Sequence, residues 1–202
     1  RQRQMCIRDS FYTYVLGDMK LMSGVSVIGL IASLVGIVMG PYLANRFGKK
    51  KVYLTAVIIS TALNLLRLLD VTSMILIYIS ALIGGVAGGW MVPVNTSIQA
   101  DNTTYVQYKT GKRAEAAIAS LTSFVSKVAQ GLGGAIPGYV IAAYGFVTGA
   151  SVQPESINTG IILCALILPL IFGILGLLIF GTQYTLDQKA VIEMDAKINR
   201  NN

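Results

Sequence analysis

One lysine lies deep within an apolar stretch of this sequence. Lys127 belongs to the run Ala116–Tyr144, which carries no other charged residue. If this run is one helix, Lys127 lies about 17 Å from Ala116, at about 1.5 Å per residue. A bilayer core is about 30 Å thick, so the ammonium would lie close to the midplane. A charge there is costly, and it usually faces a protein interior or a watery cavity and has a partner.

The residues around Lys127 favour a cavity. Positions that differ by whole helical turns share one side of a helix, and polar side chains and glycines recur there: Ser120, Ser123, Gln130, Gly131, Gly134 and Gly138. The hydroxyls and the amide can bind a polar solute, and the glycines leave room for it. The alternative is a buried lysine paired with a carboxylate. No predicted span has a central Asp or Glu, so that partner would have to come from elsewhere.

The composition indicates a membrane protein. The chain has 202 residues, of which 54% are hydrophobic and 12% charged, and its mean hydropathy is +0.65. These values exclude a disordered chain and argue against a soluble domain. The net charge is +7, but the cations cluster in short segments between apolar runs. That pattern orients membrane proteins and differs from the basic face of a nucleic-acid-binding domain.

The sequence offers little for catalysis or metal binding. It has no histidine, and Cys6 and Cys164 are isolated, without metal-ligand or redox spacing. Intramembrane catalysis needs a nucleophile or a metal cluster, and neither is recognisable. We therefore predict no enzyme activity, no metal site and no cofactor.

Five apolar runs predict an all-α membrane protein. The predicted spans are about 21–44, 52–69, 73–97, 116–144 and 160–181, and each is near the length that a bilayer requires. The aromatic run Phe11–Gly17 is too short to span and resembles the end of a helix whose earlier part is missing. Residues 11–183 are therefore predicted to form one helical bundle, with the polar stretch Ile98–Arg113 as a loop.

Glycines in the first span and in the third span each predict close approach of a neighbouring helix. They are Gly24, Gly29, Gly36 and Gly40 in the first span, and the pairs Gly84–Gly88 and Gly85–Gly89 in the third. In lipid, packing drives helix association, and small residues let two backbones approach each other.

The two ends are predicted to lie outside the bundle. Residues 1–10 match nothing that follows and are predicted to be non-native or disordered, with an ordinary polar N-terminus as the alternative. Residues 184–202 are predicted to form an amphipathic cytoplasmic tail.

The distribution of cations predicts the orientation of the chain. Ten cations, in 45–51, 98–113 and the tail, are predicted to lie on one side, whereas Lys20 and Arg67 lie on the other. The positive-inside rule makes the side with ten cations cytoplasmic.

Three stretches resemble a known family. They are RFGKKKVYL (Arg46–Leu54), ADNTTYVQYKTGKRAEA (Ala100–Ala116) and YTLDQKAVIEMDAKI (Tyr184–Ile198). They are similar to two cytoplasmic loops and the tail in the C-terminal half of glycoside–pentoside–hexuronide:cation symporters, the melibiose-carrier group of the major facilitator superfamily. The resemblance covers Phe11 to about Ile198. It implies the end of the seventh helix and helices eight to twelve of a twelve-helix transporter.

The resemblance implies a fragment of a secondary active transporter that moves a sugar or glycoside with Na⁺ or H⁺ by alternating access. Lys127 falls on the eleventh-helix lysine that the family uses near its sugar and cation sites. The substrate-binding candidates are Lys127, Ser123, Gln130 and Ser120. The missing N-terminal six-helix half would supply most of the groups that bind the coupling cation, and it would supply a partner for Lys127.

The resemblance also implies a cytoplasmic loop or gate. Its candidate residues are Arg46, Lys49, Asp101, Tyr105, Lys109 and Arg113. Thr104 and Gln107 stand where the family's loop often has further acids, which weakens the case for charge-pair gating. Positive-inside anchoring is the alternative explanation of the basic residues.

The predicted partners are the lipid bilayer, the missing half and a small sugar or glycoside, with no nucleic acid. The predicted location is a bacterial cytoplasmic membrane, with the C-terminus in the cytoplasm. The competing hypothesis is a complete five-span structural or assembly subunit without transport activity. The length of the open reading frame upstream of Phe11 distinguishes the two.

Overall fold

The computed structural model describes residues 19–112, 114–146, 156–184 and 188–201, together with the single positions 12, 16, 154 and 186. These residues form seven α-helices and one π-helical turn: α1 Met19–Phe47, α2 Lys49–Leu69, α3 Met74–Thr110, α4 Glu115–Ala143, α5 Ser156–Ile162, the π-turn Leu163–Ile167, α6 Leu168–Gln183 and α7 Gln188–Asn201. No β-strand occurs among them. The predicted all-α fold is confirmed, while the predictions for residues 1–10 lie outside the described residues.

Four helical segments of the described chain are long and apolar enough to cross a membrane: Leu21–Phe47, Lys49–Leu69, Met74–Thr110 and Ser156–Gln183. These correspond to four of the five predicted spans. The remaining one, α4, has 29 residues, which suffices in length, but Lys127, Gln130 and several serines interrupt its apolar sequence. Its crossing of the membrane stays a prediction.

The boundary of α3 corrects one prediction. The stretch Ile98–Arg113, predicted as a loop, is helical as far as Thr110. No glycine or proline interrupts it before Gly111, which has φ +68° and donates its N–H to the Gln107 carbonyl at 2.9 Å, an αL cap. The 37 residues of α3 give a length of about 55 Å at about 1.5 Å per residue, well beyond a bilayer core of about 30 Å. The last turns of α3 therefore project from the span.

Backbone contact joins α1 to α3. A Cβ atom on Gly36 would overlap the Val86 carbonyl oxygen, and one on Gly89 would overlap the Ser33 carbonyl oxygen. Any larger residue at these two positions would push the helices apart. The predicted glycine packing is thus confirmed at Gly36 and Gly89, whereas a Cβ atom on the neighbouring Gly88 would meet no atom within 4 Å.

Two apolar clusters hold the helix ends together. One joins the beginnings of α1, α3 and the last span through Tyr12, Val25, Ile77, Ile157 and Ile161. The other joins the end of α1, the start of α2 and the second half of α3 through Ala44, Val52, Val94 and Ile98. By contrast, neither α4 nor α6 contributes a buried residue.

Candidate functional site

The predicted substrate-binding residues lie on an exposed helix. Lys127, Ser123, Gln130 and Ser120 are all exposed on α4. In the part of the chain that the structure describes, the Lys127 ammonium has no ion-pair partner. That its partner lies elsewhere stays a prediction.

Around Lys127, the described chain covers mainly one side of α4. Its partly buried residues include Ile118, Thr122, Ile136 and Val140. At about 100° per residue, these four lie within about 40° of the direction opposite Lys127. The stretch of α4 around Lys127 therefore faces away from the rest of the described chain. Near the end of the helix, Ile141 lies on the Lys127 side and is partly buried against the first apolar cluster.

Glycines keep the Lys127 side of α4 open. A Cβ atom on Gly131, Gly134 or Gly138 would meet no atom within 4 Å. The same helix also exposes large apolar side chains, such as Leu121 at 64% and Phe124 at 66%. An exposed helix with one polar and one apolar side is suited to face a cavity with the first and lipid or another helix with the second.

An open groove of about 520 Å³ lies between α1 and α3. It is lined by Val25, Ser26, Gly29, Leu30, Ser33, Ser80, Ala81 and Gly85. Ser26 and Ser33 donate their hydroxyl protons to the Met22 and Leu30 carbonyls at 2.6 and 2.8 Å. Their hydroxyl oxygens remain available as acceptors.

A buried ion pair lies at the other end of α3. The Lys49 ammonium donates to both carboxylate oxygens of Asp101 at 2.7 Å. The Asp101 side chain is 8% exposed and that of Lys49 is 18% exposed. Lys49 opens α2, where the positive end of the helix dipole disfavours a cation. The carboxylate offsets this penalty and ties the start of α2 to α3 across 52 positions of sequence.

Tyr184, directly after α6, is the third member of this cluster. Burial, the negative charge of Asp101 and a hydrogen bond to the Asp101 side chain together raise the pKa of Tyr184 from 10.0 to about 12. Its ring stacks on Phe180 with 4.8 Å between ring centroids, and Phe180 packs on Tyr53 at 4.3 Å. Sequence reasoning did not select Tyr184, although it begins one of the three stretches that carry the family resemblance.

The other predicted loop residues do not join this cluster. Arg46 donates to the Tyr42 hydroxyl at 3.4 Å and lies over the Phe47 ring. Lys109 lies over the ring of Tyr105 at 5.5 Å, a contact within one turn of α3. Arg113 lies outside the described residues. Of the six predicted loop residues, the structure thus brings Lys49 and Asp101 together as an ion pair.

The fold and these features define an integral membrane protein with membrane-length apolar helices and a polar, open helix surface. The family described as MFS/sugar transport protein matches residues 9–188. The chain belongs to this family, and within it to the glycoside–pentoside–hexuronide group of the major facilitator superfamily. This confirms the resemblance found in the sequence.

Several curated relatives are similar over most of the chain. The glucuronide carrier protein homolog of Escherichia coli is 31% identical over 92% of this chain and 42% of its own length. The putative sulfoquinovose importer of E. coli is 26% identical over 94% of the chain and 41% of its own length. The isoprimeverose transporter of Lactiplantibacillus pentosus is 28% identical over 73% of the chain and 31% of its own length. The chain thus spans less than half the length of these relatives.

Proposed function

We propose that this chain is the C-terminal half of a secondary active transporter that moves a sugar or glycoside together with Na⁺ or H⁺. The observation that carries the proposal is the open polar stripe around Lys127, in a chain that belongs to a sugar transport family. The share of its relatives that the chain covers, 41% and 42% for the two relatives from E. coli, is consistent with one half of such a protein. Transport proceeds by rocking one half against the other around a site near the membrane midplane.

The Lys127 ammonium faces the central cavity and pairs with a carboxylate of the other half. Ser120, Ser123 and Gln130 supply donors and acceptors for the hydroxyls of the solute. The coupling cation binds mainly to the other half, because the described spans carry no acidic residue near their middles. Loss of the lysine would leave the partner carboxylate buried without compensation, which typically costs several kcal/mol.

The cluster of Lys49, Asp101 and Tyr184 holds the cytoplasmic ends of α2, α3 and the last span together. We assign it the role of keeping this half rigid while the cytoplasmic entrance opens and closes. Arg46, Tyr105 and Lys109 lie near that entrance, and the basic residues on this side orient the chain in a bacterial cytoplasmic membrane. The tail that contains α7 then lies in the cytoplasm. Membership of a transporter family disfavours the competing idea of a structural subunit.

Uptake by the full-length protein tests the proposal. Vesicles that contain it are supplied with a glucuronide, sulfoquinovose or isoprimeverose, the solutes for which relatives are named, under an imposed Na⁺ or pH gradient. We expect one gradient to drive uptake of at least one of these sugars, and the purified 202-residue chain alone to show none. Gradient-independent leakage alone, or uptake by the isolated chain, contradicts the proposal.

Substitution of Lys127 tests the proposed site. Lys127→Ala abolishes most coupled uptake while leaving membrane insertion intact, and Lys127→Arg restores it only in part, because a planar guanidinium cannot replace a compact ammonium. Lys50→Ala is the matched control, since it removes an equally charged side chain at the start of α2. Wild-type uptake rates in Lys127→Ala would exclude the assigned role.

A further inference from the structure

The last span changes its helical form in its first half. Ser156–Ile162 is α-helical, the π-turn covers Leu163–Ile167, and α6 begins at Leu168. The Leu168 N–H donates to the carbonyl of Leu163, five residues earlier, rather than to that of Cys164, which an α-helix would use. Single π-turns inside α-helices are rare and are frequently found at functional positions.

The residue that follows Leu168 explains the π-turn. Pro169 has no N–H, and a proline ring collides with the carbonyl four residues earlier, so it cannot continue an α-helical ladder. The Cys164 carbonyl therefore receives neither the Leu168 N–H, which is taken by Leu163, nor a bond from Pro169. Because this bond is already missing, the span can bend here without breaking a further backbone hydrogen bond.

The part of the span before the π-turn is fixed to α4 and to the first apolar cluster. Ile157 and Ile161 are 0% exposed within that cluster. A Cβ atom on Gly160 would lie 3.1 Å from the ring of Tyr144, which directly follows α4. The Ser156 hydroxyl also donates to the Tyr144 carbonyl at 2.9 Å. The end of α4 and the helix α5 therefore form one unit.

The part of the span after the π-turn is fixed to α2 instead. A Cβ atom on Gly173 of α6 would overlap the hydroxyl oxygen of Thr61 of α2. Further along α6, the Phe180 ring packs on the Tyr53 ring with 4.3 Å between centroids. The π-turn thus separates two pairs of helices, α4 with α5 and α6 with α2.

The packing of α4 and α6 leaves room for a change in their relative position. Neither helix contains a buried residue, so a shift between them disturbs few close contacts. At its other end α4 is held by the short connection from Thr110 of α3 to Glu115. Bending at the π-turn would therefore tilt α4 about this fixed end.

We propose that the π-turn Leu163–Ile167 is a hinge, and that bending there tilts α4, which carries Lys127, relative to the α2–α6 pair during transport. This inference rests on the proposed transport function and adds to it the place at which this half changes its shape. The cluster of Lys49, Asp101 and Tyr184 holds the opposite end of the last span to α2 and α3, so the bending is confined to the part before α6.

Distances between two nitroxide labels in the full-length protein test the movement. The labels are carried by p-acetylphenylalanine, so Cys164 in the π-turn stays unchanged. They replace Tyr139 of α4 and Leu178 of α6, which are 79% and 61% exposed. We expect two distance populations, whose ratio changes severalfold when the transported sugar is added.

The control pair lies on one side of the hinge. Labels at Leu65 of α2, which is 55% exposed, and at Leu178 of α6 should give one population that the sugar leaves unchanged. A single population for the pair at 139 and 178 with and without sugar overturns the inference. An equal change in the control pair also overturns it.

Substitution of Pro169 tests the origin of the hinge. Pro169→Ala supplies the missing N–H and allows α-helical bonds to continue, and because Pro169 is exposed no buried contact is lost. The population ratio should then stop responding to sugar. The kcat of uptake should fall roughly tenfold while the KM stays within about twofold, because a hinge acts on the conformational step rather than on solute binding. Phe172→Ala, at a position of α6 that is 59% exposed, should keep the wild-type kcat.

The outcomes separate the two proposals. A wild type that takes up none of the glucuronide, sulfoquinovose and isoprimeverose overturns the proposed transport function. Uptake by the wild type together with a wild-type kcat in Pro169→Ala overturns the hinge alone. If Pro169→Ala folds poorly, Pro169→Leu, which also supplies an N–H and places an apolar side chain at an exposed position of the span, replaces it with the same readouts.

Discussion

The pair α1–α3 and the helix α4 show two ways of placing a helix in this protein. In the pair, glycines let the two backbones touch, so backbone atoms set the distance between the helices. In α4, no residue is buried and the glycines on the Lys127 side meet nothing. The first arrangement is made by residues of this chain, whereas the second leaves a polar surface that the described residues do not cover. The same residue type, glycine, thus serves close packing in one region and open space in the other.

Loss of Lys49 should have the largest effect on stability. Lys49→Ala leaves the Asp101 carboxylate, 8% exposed, without its counter-charge, and removing one partner of a buried pair costs about 3–5 kcal/mol. Thermal unfolding in detergent measures the change. Lys50→Ala, the next residue along α2, should shift stability by less than about 0.5 kcal/mol. A double variant Lys49→Ala/Asp101→Ala that is no more stable than Lys49→Ala alone would argue against a direct pair.

Substitutions of two adjacent glycines of α3 test the contrast between close packing and open space. Gly89→Ala places a Cβ atom on the Ser33 carbonyl oxygen and should destabilise the protein by about 1–3 kcal/mol through overpacking. Gly88→Ala, where a Cβ atom meets nothing within 4 Å, should be neutral or stabilising by up to about 1 kcal/mol, because alanine favours a helix. Equal unfolding temperatures for the two variants would contradict the backbone contact between α1 and α3.

Tyr184 should give a smaller effect that depends on pH. Its pKa in the folded chain is about 12, above the ordinary 10.0, so folding favours the neutral phenol. This contribution is fully present below pH 10 and is lost as the pH rises through about 12. As the pH rises from 10 to about 12, the free energy of unfolding of the wild type should fall more than that of Tyr184→Phe. The tyrosinate absorbance of the wild type minus that of the variant should show one group that titrates near 12, and a difference curve centred on 10 would argue against partial burial of the phenol beside the Asp101 carboxylate.

Lys127→Ala should have the smallest effect on the stability of the isolated chain. Lys127 is exposed and has no ion-pair partner among the described residues, so we expect a change within about 0.5 kcal/mol in either direction. In the full-length protein the same substitution should destabilise, because the partner in the other half would be left unpaired. A large loss of stability in the isolated chain would mean that Lys127 already has its partner within these residues, and the contrast between α4 and the α1–α3 pair would fail.

Much of the fold could be predicted from patterns within short stretches of the sequence. Runs of apolar residues define the spans because each must match the bilayer thickness, and that requirement depends on composition along a short stretch. The side of α4 that carries Lys127, Ser123 and Gln130 also follows from sequence, since helical periodicity alone places these residues together. The loop that was expected after Ile98 is helical instead, because polar residues without glycine or proline do not end a helix.

The tertiary structure decided those features that depend on contacts between distant parts of the chain. The pairing of Lys49 with Asp101 joins residues 52 positions apart, and Tyr184 approaches the same carboxylate from the end of the last span. Nothing local distinguishes Gly88 from Gly89, yet one is open and the other touches the α1 backbone. The sequence determined which residues share a helix side, whereas the packing of helices determined which of those sides remain open.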